Sequence, residues 1–142
     1  IPDETLRKSY KNALLRNAMF EPNSFAATAM EAAYNYGAPW LDELMEYIRG
    51  NLDLLTEVFS EELPEVHVIK PEGTFLVWTD FRKFGIDYRE LLRIFVDEAK
   101  VAPGQGDLYG SEGEGFMRFN LACPRAILEE GLQRIVSAFK TK

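Results

Sequence analysis

The sequence predicts an α+β fold, with a small mixed or antiparallel sheet packed under helices and two further helices ahead of it. Three observations predict it. Apolar residues recur at helical spacing from Leu6 through Phe59. Two short runs rich in β-branched and aromatic residues, 66–69 and 75–79, flank the turn Lys70-Pro71-Glu72-Gly73-Thr74, which reads as a hairpin. The stretch 117–122 then alternates with period 2, as a half-buried strand does. Helices come first, followed by a hairpin, a helix, a strand and a helix. That order lacks the repeated strand–helix alternation of a doubly wound sheet.

Each element has its own signals. Asp3 is a suitable N-cap, and Leu6, Tyr10, Ala13 and Leu14 follow at helical spacing toward an end near Asn17. Phe20-Glu21-Pro22-Asn23-Ser24 breaks the pattern, because proline restricts the residue before it and Asn and Ser favour turns. Residues 25–36 are Ala-rich and read as a tightly packed helix stopped by Gly37. Pro39 suits a first helical turn, and residues 39–63 form a long helix with Leu44, Ile48, Leu52, Leu55 and Phe59 on one stripe. Gly50 weakens that helix modestly. Asp87 and Glu90 have capping-box spacing before Leu91, Leu92, Phe95 and Ala99. Residues 103–106 and 110–115, with five glycines between them, read as loop. Pro124 opens a last helix whose stripe is Leu128, Leu132, Ile135, Val136 and Phe139.

Composition limits the function. The chain has 142 residues, 46% hydrophobic and 27% charged, enough for a real core. A net charge of −7 argues against a nucleic-acid partner, which needs a basic excess. No apolar run is long enough to span a membrane. The single cysteine, Cys123, excludes an internal disulfide and fits a reducing compartment, so a cytoplasmic location is expected. With one histidine, His67, and one cysteine, no His/Cys metal site is expected.

The chemistry concentrates on Arg118. In the strand Met117, Phe119 and Leu121 share one face, and Arg118, Asn120 and Ala122 share the other. A guanidinium is costly to bury unpaired, and its planar fork matches a carboxylate with two parallel hydrogen bonds. A distant structural ion pair or a solvated edge position would also account for it. Other candidates carry less. Gly104, Gly106 and Gly110 miss the spacing of a dinucleotide loop and read as a surface or lid loop. Glu112 and Glu114 read as solvated charges, and His67 as a strand residue. Cys123 lies near a helix start, which can lower a thiol pKa, although packing is the commoner role of such a residue. Asn23 and Ser24 read as caps. No complete catalytic set can be assembled from this chain.

Several segments together resemble a known family. Glu72-Gly73-Thr74-Phe75-Leu76-Val77-Trp78-Thr79-Asp80-Phe81 is similar to a hairpin of fold-type I pyridoxal-phosphate enzymes. Val101-Ala102-Pro103-Gly104, Gly113-Glu114-Gly115-Phe116 and Arg118-Phe119-Asn120-Leu121-Ala122 follow in that family's order. The run from Asn120 to Arg125 most resembles the MalY/PatB-type carbon–sulfur β-lyases within the class I/II aminotransferase superfamily. Glu21-Pro22-Asn23 and Ala32-Ala33-Tyr34 extend the resemblance over nearly the whole chain.

The resemblance implies the C-terminal part of such an enzyme, with residues 1–36 the end of the large cofactor-binding domain and 37–142 the small domain. It implies that Arg118 binds the α-carboxylate of an amino-acid substrate, that Tyr109 and Leu108 line the side-chain pocket, and that Asn23 contacts the cofactor site across a homodimer interface. The substrate implied is a sulfur-containing amino acid, cleaved to a thiol, ammonia and a keto acid; transamination by a class I/II aminotransferase is the alternative. The family holds pyridoxal phosphate through a lysine Schiff base. Lys8, Lys11, Lys70, Lys83, Lys100, Lys140 and Lys142 do not match that lysine. This piece alone is therefore expected to bind no cofactor and to be inactive. A non-catalytic interaction module that kept the fold is the reading from a different class.

Overall fold

The computed structural model describes residues 1–19 and 21–140. Phe20, assigned above to the break before the second helix, and Lys142 lie outside the described residues. Helices α1 (Glu4–Arg16), α2 (Ala26–Tyr36) and α3 (Ala38–Glu62) come first. Strands β1 (His67–Ile69) and β2 (Leu76–Asp80), helix α4 (Tyr88–Arg93), strands β3 (Gly104–Gln105) and β4 (Phe116–Asn120), and helix α5 (Arg125–Phe139) follow. The chain divides into two compact units, Ile1–Glu43 and Leu44–Lys142, with the division inside α3.

In the first unit, Asp3 caps α1 by accepting a hydrogen bond from the Leu6 backbone N–H at 2.8 Å. Neither α1 nor α2 has a buried residue. The Ala-rich α2, expected to be tightly packed, leaves Met30, Tyr34 and Tyr36 61%, 82% and 80% exposed. Small side chains on a helix permit close approach by a neighbour, but among the described residues none buries α2.

The second unit is built on a four-stranded sheet of order β1-β2-β4-β3, antiparallel throughout. The hairpin and the arginine strand form as expected, with Val77 opposite Phe119 and Trp78 opposite Arg118. One expectation fails. Gly104 and Gln105 are not loop: they pair with Arg118 and Met117 as the edge strand β3. Two residues are too few to give a periodic pattern, and glycine in a strand gives no apolar signal.

One sheet face and helices α3, α4 and α5 enclose the core. Val77, Met117 and Leu121 are wholly buried there with Leu55, Phe59 and Phe95. Phe81 meets Phe59 and Phe95 edge to face, with ring centroids 5.9 and 5.1 Å apart, a favoured aromatic geometry. Thr79 is buried among them and donates to the Met117 carbonyl at 2.9 Å. Asp87 caps α4 through the Arg89 N–H, and Arg93 engages Glu90, the other residue of the expected capping box. Beyond Arg93 the helix widens into a π-helical stretch, Ile94–Glu98, where the Ala99 N–H reaches the Ile94 carbonyl. That stretch buries Ile94 and Phe95.

Asn51 is the core position that the apolar stripe conceals. It lies three residues after Ile48 and four before Leu55, and it is 0% exposed. Its amide donates to the carbonyls of Leu121 and Cys123 at 2.9 and 3.1 Å, and its oxygen accepts from Arg125 Nε at 3.1 Å. The middle of α3 thereby holds the exit of β4. Gly50 gives room for this arrangement, since a Cβ there would lie 2.5 Å from the Arg125 guanidinium. The glycine that weakens the helix intrinsically is thus where Arg125 crosses it.

Candidate functional site

Strand alternation puts Trp78 and Arg118 side by side on the sheet face opposite the helices, because they are register partners. Gly104 flanks Arg118 on its other side. A Cβ at Gly104 would lie 3.2 Å from Arg118 Nε, so the bare backbone leaves the guanidinium its position. Arg118 is half-buried, and among the described residues it forms no ion pair. Its guanidinium carbon sits 5.0 Å from the centroid of the Tyr109 ring. That ring in turn stands edge to face with Trp78 at 5.3 Å.

Beside Arg118 is a cavity of about 330 Å³, bounded by residues 101–104, the end of β4 and α5. Its walls are mainly apolar, with Arg118, Asn120 and Cys123 as polar members. The Asn120 side chain turns back to accept from the Ala122 N–H at 2.8 Å, so it shapes the end of the strand. Such a cavity gives the arginine a partly desolvated surrounding, in which a charge-assisted bidentate pair gains strength.

The turn Gly106–Tyr109 carries Tyr109 to this place. Gly106 is buried, and a Cβ there would lie 2.0 Å from the Gly113 carbonyl oxygen. No residue larger than glycine fits that crossing. Tyr88, at the start of α4, donates its hydroxyl to Asp107 Oδ1 at 2.6 Å. Burial first, and then this bond, push the Tyr88 phenol up to about 12.

The sequence-derived candidates therefore separate. Arg118 and Tyr109 come together. Leu108, in the same turn, is 75% exposed. Asn23 belongs to the first unit, where its side chain accepts from the Phe25 N–H at 3.1 Å as a local cap. Glu112, Glu114 and His67 are exposed. Burial raises the Cys123 thiol pKa, opposite to the lowering that a helix start can produce. Trp78, Tyr88 and Asp107 were not singled out from sequence. Trp78 was within reach, since the alternation of β2 puts it on the face away from Val77, but the register that pairs it with Arg118 is set in three dimensions. Among the described residues no cluster of His, Cys, Asp or Glu could hold a metal ion, and no helix is long and apolar enough to cross a membrane.

Among the described residues, the arginine on the open face of this sheet has no carboxylate partner. The family model for aminotransferase class I and II matches residues 6–135, and the chain belongs to that family. It is 44% identical over 138 residues to cystathionine β-lyase PatB of Bacillus subtilis, covering 97% of this chain and 36% of that protein. It is 38% identical over 141 residues to protein MalY of Escherichia coli, covering 99% and 36%. Cystalysin from Treponema denticola, whose crystal structure contains a pyridoxal 5'-phosphate cofactor, superposes with a TM-score of 0.88 at 27% identity, over 99% of this chain and 36% of that one. The chain thus spans about a third of the length of the relatives it matches.

The family's cofactor is held through a lysine. Lys8, Lys11, Lys70, Lys83, Lys100 and Lys140 are all exposed, and none lines the cavity beside Arg118.

Proposed function

We propose that this chain supplies the substrate-carboxylate grip of a pyridoxal-phosphate-dependent carbon–sulfur β-lyase. In the whole protein the cofactor would stabilise the electron pair released at the substrate α-carbon. Arg118 would hold the α-carboxylate with two parallel hydrogen bonds and so fix which α-carbon bond is aligned for cleavage. Tyr109 and Leu108 would border the substrate side chain, and Asn23 would reach the cofactor site of a partner subunit in a cytoplasmic homodimer. Residues 1–36 would end the cofactor-binding domain, and 37–142 would form the small domain. The observation that carries this reading is a half-buried guanidinium with no carboxylate partner among the described residues. The likeness to PatB favours a sulfur-containing amino acid such as cystathionine. Transamination is the second reading, favoured by likeness to an aromatic-amino-acid aminotransferase of Thermococcus litoralis, 31% identical over 123 residues.

The test uses the whole enzyme that carries these residues. Arg118→Ala should lower kcat/KM for cystathionine by roughly 30- to several-thousand-fold, since truncating one member of a buried charge pair costs about 2–5 kcal/mol. Its melting temperature should stay near wild type, because Met117, Phe119 and Leu121 keep the core packing. Arg118→Lys should restore part of the loss, an ammonium lacking the planar fork. A lowered melting temperature with near-normal kcat/KM would sink the reading. Release of a thiol and ammonia, against transfer of the amino group to a keto acid, separates the two reactions.

A further inference from the structure

Tyr109 lies between Trp78 and Arg118 and is 56% exposed, so burial does not hold it in place. Something else must fix the ring. Within its own turn, the Gly110 N–H bonds the Asp107 carbonyl at 3.1 Å, which closes the turn that joins Asp107 to Tyr109. Asp107 is tied in two ways to Tyr88. It accepts the phenol proton at 2.6 Å, and its own N–H points to the same oxygen at 3.4 Å. Tyr88 itself is half-buried, packs against the core and opens α4 behind the Asp87 cap. The chain of contacts runs from the core through the Tyr88 hydroxyl to Asp107, then to the Tyr109 ring and the Arg118 guanidinium.

We propose that Tyr88 is a positioning residue, whose hydroxyl latches Asp107 and thereby holds the Tyr109 ring against Arg118 so that the guanidinium is oriented before an anion arrives. A guanidinium over an aromatic face within about 6 Å is attracted by the ring quadrupole. A preset orientation lowers the ordering cost of binding. The role assigned to the arginine rests on the carboxylate-grip reading above; the latch does not.

The experiment is nuclear magnetic resonance on the isotopically labelled 142-residue chain. The Nε–H and Cδ protons of Arg118, identified by their loss in Arg118→Lys, should be shifted upfield by the Tyr109 ring. Tyr109→Phe should keep that shift and Tyr109→Leu should abolish it. Tyr88→Phe, which removes one oxygen atom from a half-buried ring, should collapse the shift while the methyl signals of Leu55, Val77 and Leu121 stay in place. Asp107→Ala, at an exposed position, should do the same, and the double variant should be no worse than either single one. An unchanged ring shift in both Tyr88→Phe and Asp107→Ala overturns the latch. Titration with sodium acetate separates the two ideas. A wild-type Arg118 Nε–H that ignores acetate defeats the carboxylate reading, while collapse of the ring shift in the variants still upholds the latch. A responsive Nε–H whose acetate affinity falls in Tyr88→Phe supports both.

Discussion

Arg82 and Arg118 both lie against aromatic rings, 4.4 Å from Phe116 and 5.0 Å from Tyr109, yet they differ in what neutralises them. Arg82 donates two hydrogen bonds to Asp80, at 2.9 and 2.7 Å, and that bidentate pair holds the Asp80 carboxyl below its ordinary range. Among the described residues Arg118 has no such carboxylate. Tyr88 also titrates away from its ordinary value. Its phenol is raised from 10.0 to about 12, so the folded state keeps a proton that the unfolded chain releases. Stability from this source is fully present below about pH 10 and is lost as pH rises toward 12. Thermal melts across that interval should therefore fall more steeply for the wild type than for Tyr88→Phe. Parallel slopes would remove Tyr88 from the account.

At the scale of elements, α3 and β4 depend on one amide. Replacing Asn51 by Ala strips the carbonyls of Leu121 and Cys123 of their donor and leaves the Arg125 Nε bond unmade. An unsatisfied buried group costs about 1–3 kcal/mol, so a loss of about 2–4 kcal/mol is expected in chemical denaturation. Asn51→Asp should be at least as harmful, since it turns a donor into an acceptor against two carbonyls. A change below about 0.5 kcal/mol, the range of ordinary surface substitutions, would contradict the bridging role. Elements of this kind were unevenly legible in the sequence. The hairpin, the arginine strand and the long helix announce themselves because their periodicities persist over many residues. Asn51 hides because a stripe is read from its apolar members, and a polar residue at a core position looks like a gap. Strand β3 hides because pairing, and not side-chain pattern, makes it a strand. The Tyr88–Asp107 bond links positions 19 apart, and no local spacing encodes it.

For the whole molecule, the uneven distribution of burial has a direct outcome. Among the described residues the second unit holds every buried apolar one, while Leu6, Leu15, Met19, Phe25 and Met30 in the first are 57–79% exposed. Exposed large apolar side chains in such number favour association. The chain by itself should form concentration-dependent oligomers, seen by light scattering. A clean monomer at high protein concentration would contradict this, and so would association that persists unchanged after Leu6, Leu15 and Met30 are made polar.

The crossing of Gly106 and Gly113, where a Cβ on either residue would fall 2.0 Å from the other's carbonyl oxygen, works as the neck of a closed bag. What lies between, residues 107–112, is joined to the sheet at a cinched point. A change of length or side chain between them would therefore be felt first at the Tyr109 ring and the Tyr88–Asp107 bond, while the crossing holds the ends of the segment where they are.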